Sequence, residues 1–125
     1  MILDTNALSA WAEGQSGIRP KLASATRLVL PVGALGEYLF GILQSRHRGR
    51  YEQWLAQNLP AVEVAVISGE TARAYAEIRL KLKQRATPIP ANDAWIAAVA
   101  LQRSLPVLSN DTHFDAVSEI QRVGF

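Results

Sequence analysis

The chain begins Met1-Ile2-Leu3-Asp4-Thr5-Asn6, a short apolar run that ends in a carboxylate. A second run of the same kind, Val107-Leu108-Ser109, leads into Asn110 and Asp111. Runs that are apolar throughout, rather than alternating, are typical of strands buried on both faces of a parallel sheet. Because ligands bind outside the carboxyl ends of such strands, we expect Asp4 and Asp111 to emerge together at one functional edge.

Helical patterns separate five short strand candidates along the chain. The predicted strands are Met1–Leu3, Leu28–Val32, Val62–Val66, Val107–Ser109 and the less apolar Ile120–Val123. The predicted helices are Ala7–Glu13, Pro20–Ser24, Gly33–Arg46, Tyr51–Gln57, Ser68–Gln84 and Ala91–Arg103. Strands that alternate with helices predict a parallel sheet covered on both sides. We therefore expect one α/β domain over residues 1–125.

Composition excludes several classes of protein. A chain of 125 residues that is 49% hydrophobic is too apolar to be disordered. The absence of cysteine excludes disulfide scaffolds, zinc ribbons, iron–sulfur clusters and thiol catalysis. Asp4 comes too early for a signal peptide, and the longest apolar run, Ala94–Leu101, is far below the roughly 18 residues of a membrane span. We expect a soluble, cytoplasmic protein.

Two further carboxylates stand in unusual places. Asp93 begins an alanine-rich helix just after Pro88-Ile89-Pro90, and Glu37 is the only charge in the stretch from Val32 to Leu43. An isolated buried carboxylate costs several kcal/mol unless it is paired or binds a metal. The glycines around Glu37, at positions 33, 36 and 41, also favour close approach by another segment or a ligand.

Several carboxylates in one place would repel each other and raise each other's pKa. A divalent cation resolves that conflict, and ligation by oxygen alone favours Mg²⁺ or Mn²⁺ over zinc. The positions of Asp4, Glu37, Asp93 and Asp111 therefore predict a metal site.

Each acidic residue also has a purely structural interpretation. Asp4 could cap the following helix, and Asp93 could complement a helix dipole. Glu37 could pair with an arginine across the core, and Asp111 could form a turn. Asp115 is expected to be exposed to solvent or locally hydrogen-bonded. The metal site is favoured because an α/β fold would bring the four acids together.

Four segments in register resemble PIN-domain endoribonucleases, and above all the VapC-type toxins of toxin–antitoxin pairs. They are Ile2-Leu3-Asp4-Thr5-Asn6, the lone Glu37 in an apolar helix, Ile89-Pro90-Ala91-Asn92-Asp93-Ala94-Trp95-Ile96-Ala97-Ala98, and Leu108-Ser109-Asn110-Asp111-Thr112-His113-Phe114. The resemblance runs in order over essentially the whole chain.

The resemblance implies an α/β/α sandwich and RNA cleavage that depends on Mg²⁺ or Mn²⁺. It also implies a homodimer, inhibition by a cognate antitoxin and a higher toxin–antitoxin assembly. Asp4, Glu37 and Asp93 match the three principal acids of the family, and Asp111 matches the fourth, whereas Asp115 has no counterpart. The first strand is clipped, because only three residues precede Asp4.

Neighbouring polar residues have expected supporting roles. Thr5 and Asn6 would orient the carboxylates. Ser109, Asn92 and Thr112 would donate hydrogen bonds to carboxylate or phosphate. His47 and His113 are weak candidates for metal ligation, and we expect His113 with Phe114 to close the loop after Asp111.

A compact basic run, Arg46-His47-Arg48-Gly49-Arg50, follows the helix that carries Glu37. It could be a solvated connection. In a nuclease, Arg46, Arg48 and Arg50 would instead bind RNA phosphates, which supply most of the non-specific affinity.

Three competing functions have different requirements. A phosphoacceptor module of the response-regulator type needs an acidic pair before the acceptor strand and a lysine after the last strand, and neither is evident. A phosphatase of the haloacid-dehalogenase type needs two aspartates separated by one residue, where this chain has Asp4-Thr5-Asn6. A non-catalytic RNA-binding module would bind RNA equally well in EDTA and never cut it.

Overall fold

The structure, a computed structural model, describes all 125 residues and is built around a five-stranded sheet. The strands are β1 (Ile2–Leu3), β2 (Val29–Pro31), β3 (Glu63–Ala65), β4 (Val107–Leu108) and β5 (Arg122–Val123). Every neighbouring pair is parallel. All five predicted strands are present, each shorter than predicted because neighbouring strands pair over only one to three residues.

Six helices flank the sheet, so the predicted α/β/α sandwich is confirmed. They are α1 (Thr5–Ala12), α2 (Arg19–Ser24), α3 (Val32–Leu43), α4 (Arg48–Asn58), α5 (Gly69–Gln84) and α6 (Ala91–Arg103). Two 3₁₀ turns, Leu59–Ala61 and Thr112–Ala116, complete the secondary structure. A membrane-spanning helix would have to be longer and more apolar than any of the six.

The longest helix, α5, shows how local sequence sets its boundaries. Ser68 caps its start: the serine hydroxyl accepts a hydrogen bond from the Thr71 amide at 3.4 Å, and the serine amide donates to the Thr71 hydroxyl at 3.0 Å. At its other end, Lys81 and Arg85 lie 3.4 and 2.9 Å from Glu119. These basic residues thus hold the segment before β5 as well as complementing the helix dipole.

The strand order β3-β2-β1-β4-β5 places a crevice between β1 and β4. The chain runs outward from β1 through β2 to β3 and then returns to the other side of β1. Ligands bind at such switch points, outside the carboxyl ends of the strands. The Asp4 amide donates to the Leu108 carbonyl at 3.3 Å, which holds the ends of β1 and β4 together. Asp4 and the segment after β4 therefore flank this crevice.

Candidate active site

Asp4 follows β1 directly and caps α1. Its Oδ1 accepts a hydrogen bond from the Thr5 amide at 2.8 Å. Its Oδ2 accepts from the Ser109 hydroxyl at 2.7 Å and from the Asn6 side-chain amide at 3.1 Å. Only 5% of the residue is exposed. Asp4 therefore caps α1 with one carboxylate oxygen and contacts neighbouring residues of the site with the other.

Asn6 and Ser109 join the segments that follow β1 and β4. The Asn6 amide nitrogen donates to the Ser109 hydroxyl at 3.0 Å, and the Asn6 carbonyl oxygen accepts from the Asn110 backbone at 3.1 Å. The Asp111 amide donates to the same serine hydroxyl at 2.9 Å. These bonds orient Asp4 and position Asp111 in one network, which is the supporting role expected of Asn6 and Ser109.

The ring of His113 contacts the carboxylates of both Asp93 and Asp111. Asp93 lies in the first turn of α6 and is 9% exposed. Its Oδ2 lies 3.1 Å from His113 Nδ1, and Asp111 Oδ1 lies 3.0 Å from the same nitrogen. One potential ligand atom from each of the three residues lies within 4.8 Å of the other two. Asp111 also caps its 3₁₀ turn by accepting from the His113 amide at 2.9 Å, so its turn interpretation holds as well.

The carboxylates act on one another electrostatically. Burial raises the pKa of Asp93 to about 6, with a further contribution from the negative charges of Asp111 and Asp4, while His113 works in the opposite direction. Burial also raises the pKa of Asp4, and Asp111 and Glu37 add to that rise. Carboxylates held at raised pKa values have a deficit of nearby positive charge. A divalent cation fits this deficit and this oxygen-rich donor set.

Glu37 reaches the same site from α3, but it is exposed, so the expectation of a buried carboxylate is wrong. Its Oε2 accepts a hydrogen bond from the Thr5 hydroxyl at 3.1 Å. The apolar residues of this helix do not all face the core, because one face of the helix is uncovered in the single chain. Phe40, for example, is 63% exposed. An apolar sequence does not by itself place a residue in the core.

The glycines of α3 do not all mark a close approach. A Cβ added at Gly33 would lie 3.4 Å from the Asn92 side-chain oxygen, so α3 and the start of α6 are near one another there. Nothing lies within 4 Å of a Cβ added at Gly36 or Gly41, so no other segment closely approaches α3 at these two positions.

Thr112 is exposed, at the start of the 3₁₀ turn that carries His113.

Asp115 lies outside the acidic cluster. Both of its carboxylate oxygens accept hydrogen bonds from Arg122, at 2.8 and 3.0 Å, and its side chain is 53% exposed. Arg122 also donates to the Ser109 carbonyl at 3.2 Å. Asp115 thus stabilises the loop after β4, in agreement with its locally hydrogen-bonded interpretation.

The basic run is exposed throughout: Arg46 and His47 form the turn after α3, and Arg48 begins a helix. Arg48 begins α4 and pairs with Glu52 at 2.7 Å. The Arg50 guanidinium lies 5.1 Å from the centre of the Tyr51 ring. Tyr51 and Glu37 line the same cavity of about 270 Å³. Arg50 thus contacts a residue that lines the cavity on the Glu37 side of the site.

Comparisons with known proteins show the family of this chain. Residues 1–120 match the family described as the PIN domain. The chain belongs to the PIN-domain family. This PIN domain is 30% identical over 118 residues to ribonuclease VapC5 of Mycobacterium tuberculosis, a match that covers 93% of this chain and 86% of that protein.

Solved structures share the PIN fold over nearly the full length. VapBC-5 from Mycobacterium tuberculosis, a member of the VapBC family of toxin–antitoxin systems, has a TM-score of 0.79 at 25% identity, covering 99% of this chain and 97% of its own. VapBC2 from Rickettsia felis, bound to a promoter DNA fragment, has a TM-score of 0.88 at 20% identity, covering 98% and 96%. The predicted family and fold are confirmed.

Within this PIN domain, His113 is the site residue that sequence reasoning undervalued. The sequence offered one clue, since His113 follows Asp111 by two positions and precedes the buried Phe114. Asp111 caps the 3₁₀ turn that carries His113, and Phe114 anchors that turn in the core. The histidine ring therefore lies beside Asp111. Its contact with Asp93 depends on where α6 begins in space, which the local sequence does not show.

Proposed function

We propose that this protein is a metal-dependent endoribonuclease that hydrolyses RNA phosphodiester bonds as the toxin of a toxin–antitoxin pair. The observation that carries the proposal is the approach of Asp93 and Asp111 to one another, with Asp4 near enough for its charge to raise the pKa of Asp93. The similarity to a protein named ribonuclease VapC5 supports RNA as the substrate.

The residues that would hold the metal are Asp4, Asp93 and Asp111, with Glu37 as a further or water-mediated ligand. Their oxygen atoms suit Mg²⁺, with Mn²⁺ as the alternative. When bound, the cation lowers the pKa of a coordinated water and offsets the charge that builds on the phosphate.

The remaining work falls to the protein's own groups. Ser109 and Asn6 hold Oδ2 of Asp4, so that carboxylate is oriented before RNA binds. Asp111, with 31% of its side chain accessible, is more exposed than Asp4 and Asp93 and would orient the attacking water. Attack by water at phosphorus, with cleavage of the bond from phosphorus to the 3′-oxygen, would leave a 5′-phosphate and a 3′-hydroxyl.

RNA would be held by donors around the crevice. Asn92 and Thr112 would donate hydrogen bonds to phosphate, and Thr5, which donates to Glu37, would orient that carboxylate. Arg46, Arg48 and Arg50 would bind the phosphate backbone. The nearness of Arg50 and Tyr51 to the cavity lined by Glu37 supports this path for the RNA.

The exposed face of α3 supports a homodimer. Val32, Leu39, Phe40 and Leu43 are between 39 and 63% exposed on this one helix. A patch of this kind on a soluble domain is typical of a protein–protein contact. A second copy of the chain is the partner that the family resemblance favours.

A cognate antitoxin is the second proposed protein partner. VapBC-5, to which this chain is similar, belongs to a toxin–antitoxin system. By the same reasoning, this chain would pair with an antitoxin in the cytoplasm and would enter a larger toxin–antitoxin assembly. Binding of the antitoxin is expected to inhibit RNA cleavage.

Cleavage of RNA by the purified protein tests the proposed function. We expect cleavage with Mg²⁺ or Mn²⁺ and none in EDTA. Asp4→Asn or Asp93→Asn should lower the rate by about 100-fold or more, because each removes a ligand of the cation. Circular dichroism checks that the variants remain folded.

Asp115→Asn is the matched control, because it neutralises a carboxylate outside the cluster and should keep its activity. Full activity in either active-site variant, or cleavage that persists in EDTA, would disprove the proposal. RNA binding without any cleavage would instead support the non-catalytic alternative.

A further inference from the structure

The position of His113 gives the acidic cluster a nitrogen donor. Its Nδ1 lies 3.1 Å from Asp93 Oδ2 and 3.0 Å from Asp111 Oδ1. Neighbouring ligands of an octahedral ion, each about 2.1 Å from the metal, are about 3.0 Å apart. The two distances from Nδ1 therefore match those between neighbouring ligands of one ion, and in the absence of an ion they are hydrogen-bond distances from the ring to the two carboxylates.

The ring is held in place by its backbone and not by packing around it. The His113 amide donates to Asp111 at 2.9 Å, and the neighbouring Phe114 is buried in the core. The histidine side chain itself is 53% exposed. A half-exposed ring that is directed at two carboxylates, one of them buried, is preorganised to bind a cation together with them.

Nitrogen ligation changes which cation the site prefers. Mg²⁺ is bound almost entirely by oxygen ligands, whereas imidazole binds first-row transition metals, among which Mn²⁺ has the lowest affinity. Of the two ions proposed for this site, Mn²⁺ is therefore the one that accepts a nitrogen ligand more readily. Asp4, Asp93 and Asp111 alone would bind both ions through oxygen. Only a group such as His113 would favour one over the other.

We propose that His113 is a direct ligand of the metal through Nδ1 and that it makes this site select Mn²⁺ over Mg²⁺. This inference rests on the proposed metal-dependent function and specifies the cation. It goes beyond the sequence-based expectation, in which His113 closes the loop after Asp111 and is a weak candidate for metal ligation.

The test measures metal binding by the full chain, independently of RNA cleavage. Electron spin echo spectroscopy of the Mn²⁺-loaded protein should show coupling to a nitrogen nucleus. This coupling should disappear in His113→Ala and in His113→Asp. By calorimetry, His113→Ala should weaken Mn²⁺ binding by about tenfold or more, and Mg²⁺ binding by less than about threefold.

His113→Asp replaces the nitrogen with an oxygen donor, so it should bind Mg²⁺ at least as well as the wild type and lose the preference for Mn²⁺. His47→Ala, which removes the only other histidine, should change neither the coupling nor the affinities. Thermal melting of each variant in EDTA verifies folding.

The outcomes separate the two proposals. Metal binding without nitrogen coupling, or with an unchanged Mn²⁺ to Mg²⁺ preference in His113→Ala, would overturn the role of His113 and leave the nuclease intact. A wild-type chain that binds neither ion would overturn the proposed function itself.

Discussion

Asp93 shows how a single residue of this site opposes folding. It is a mostly buried carboxylate whose pKa is raised to about 6, first by burial and then by the charges of Asp111 and Asp4. Its ionised form is thus less stable in the folded protein than in the unfolded chain, where the ordinary value is 3.8. A bound cation would offset this destabilisation, which makes folding and metal binding mutually supportive.

We predict that Asp93→Asn stabilises the metal-free protein. A raised carboxyl pKa destabilises the folded state fully above the folded-state pKa, and the effect fades as the pH falls toward the unfolded value. In EDTA at pH 8, the variant should have a free energy of unfolding about 1–3 kcal/mol above that of the wild type. The difference should shrink between pH 6 and pH 4, as urea unfolding at each pH will show.

Asp115→Asn is the control for this prediction, because Arg122 lowers the pKa of Asp115 through hydrogen bonds, opposite to the shift of Asp93. This variant should show no gain in stability at pH 8. Adding Mn²⁺ should stabilise the wild type and leave Asp93→Asn nearly unchanged. A variant that is less stable than the wild type in EDTA at pH 8 would contradict the electrostatic account.

At the scale of the element, α3 has two apolar faces with different environments. Ala34, Tyr38 and Ile42 recur every four residues and are buried against the rest of the protein. Leu39 and Phe40 belong to the exposed face. A helix that is apolar on both sides is expected to be covered on both sides. This protein covers only one, so the other is the proposed contact with a second copy.

We predict that Phe40→Glu dissociates the homodimer. The side chain is 63% exposed in the single chain and would be buried in the dimer, where a carboxylate would lack a partner. The loss should be about 2 kcal/mol or more of association free energy, as expected for a central aromatic residue. Analytical ultracentrifugation at several concentrations measures it.

Gln53→Glu adds the same charge at an exposed position on α4 and should leave the dimer unchanged. A wild-type chain that sediments as a monomer at all concentrations would refute the homodimer. Dimers of equal strength in wild type and Phe40→Glu would show that the interface lies elsewhere.

The whole molecule separates its charges, although its formal net charge is only +2. Four of its eleven acidic residues are gathered at one edge of the sheet, which leaves seven acids for thirteen lysines and arginines. Several of those cations are engaged in ion pairs, such as Arg48 with Glu52 and Arg85 with Glu119. Arg46 and Arg50 have no acidic partner, and Arg50 lies beside the cavity that borders the site.

We predict that Arg50→Ala weakens RNA binding and reduces its salt dependence. Loss of one phosphate contact should lower the slope of log K against log salt by about one unit. Fluorescence anisotropy with single-stranded RNA measures this in the Asp4→Asn background, where the RNA stays intact. Arg48→Ala should have a smaller effect, because Glu52 already partly neutralises that arginine.

Lys83→Ala, which removes a cation at the end of α5, should leave both affinity and salt slope unchanged. An unaltered slope in Arg50→Ala would place the RNA on another path across the surface.

Local pattern in the sequence was sufficient for the sheet and for most of the site. Mostly apolar runs predicted the strands, and the ends of two of these runs predicted the positions of Asp4 and Asp111. Both depend only on neighbouring residues and on the geometry shared by all parallel sheets. The same information wrongly predicted that Glu37 is buried, because the sequence does not show which apolar residues of α3 face the core and which face solvent.

The sequence by itself therefore determined the fold class, the family and the edge of the sheet where the acids lie. Only the tertiary structure decided that Glu37 is exposed, that Asp115 pairs with Arg122, and that His113 lies between Asp93 and Asp111. The physical reason is the distance along the chain over which each interaction acts. Strand and helix patterns act over a few residues, whereas burial and side-chain meeting depend on how α6, α3 and the turn after β4 are placed in space.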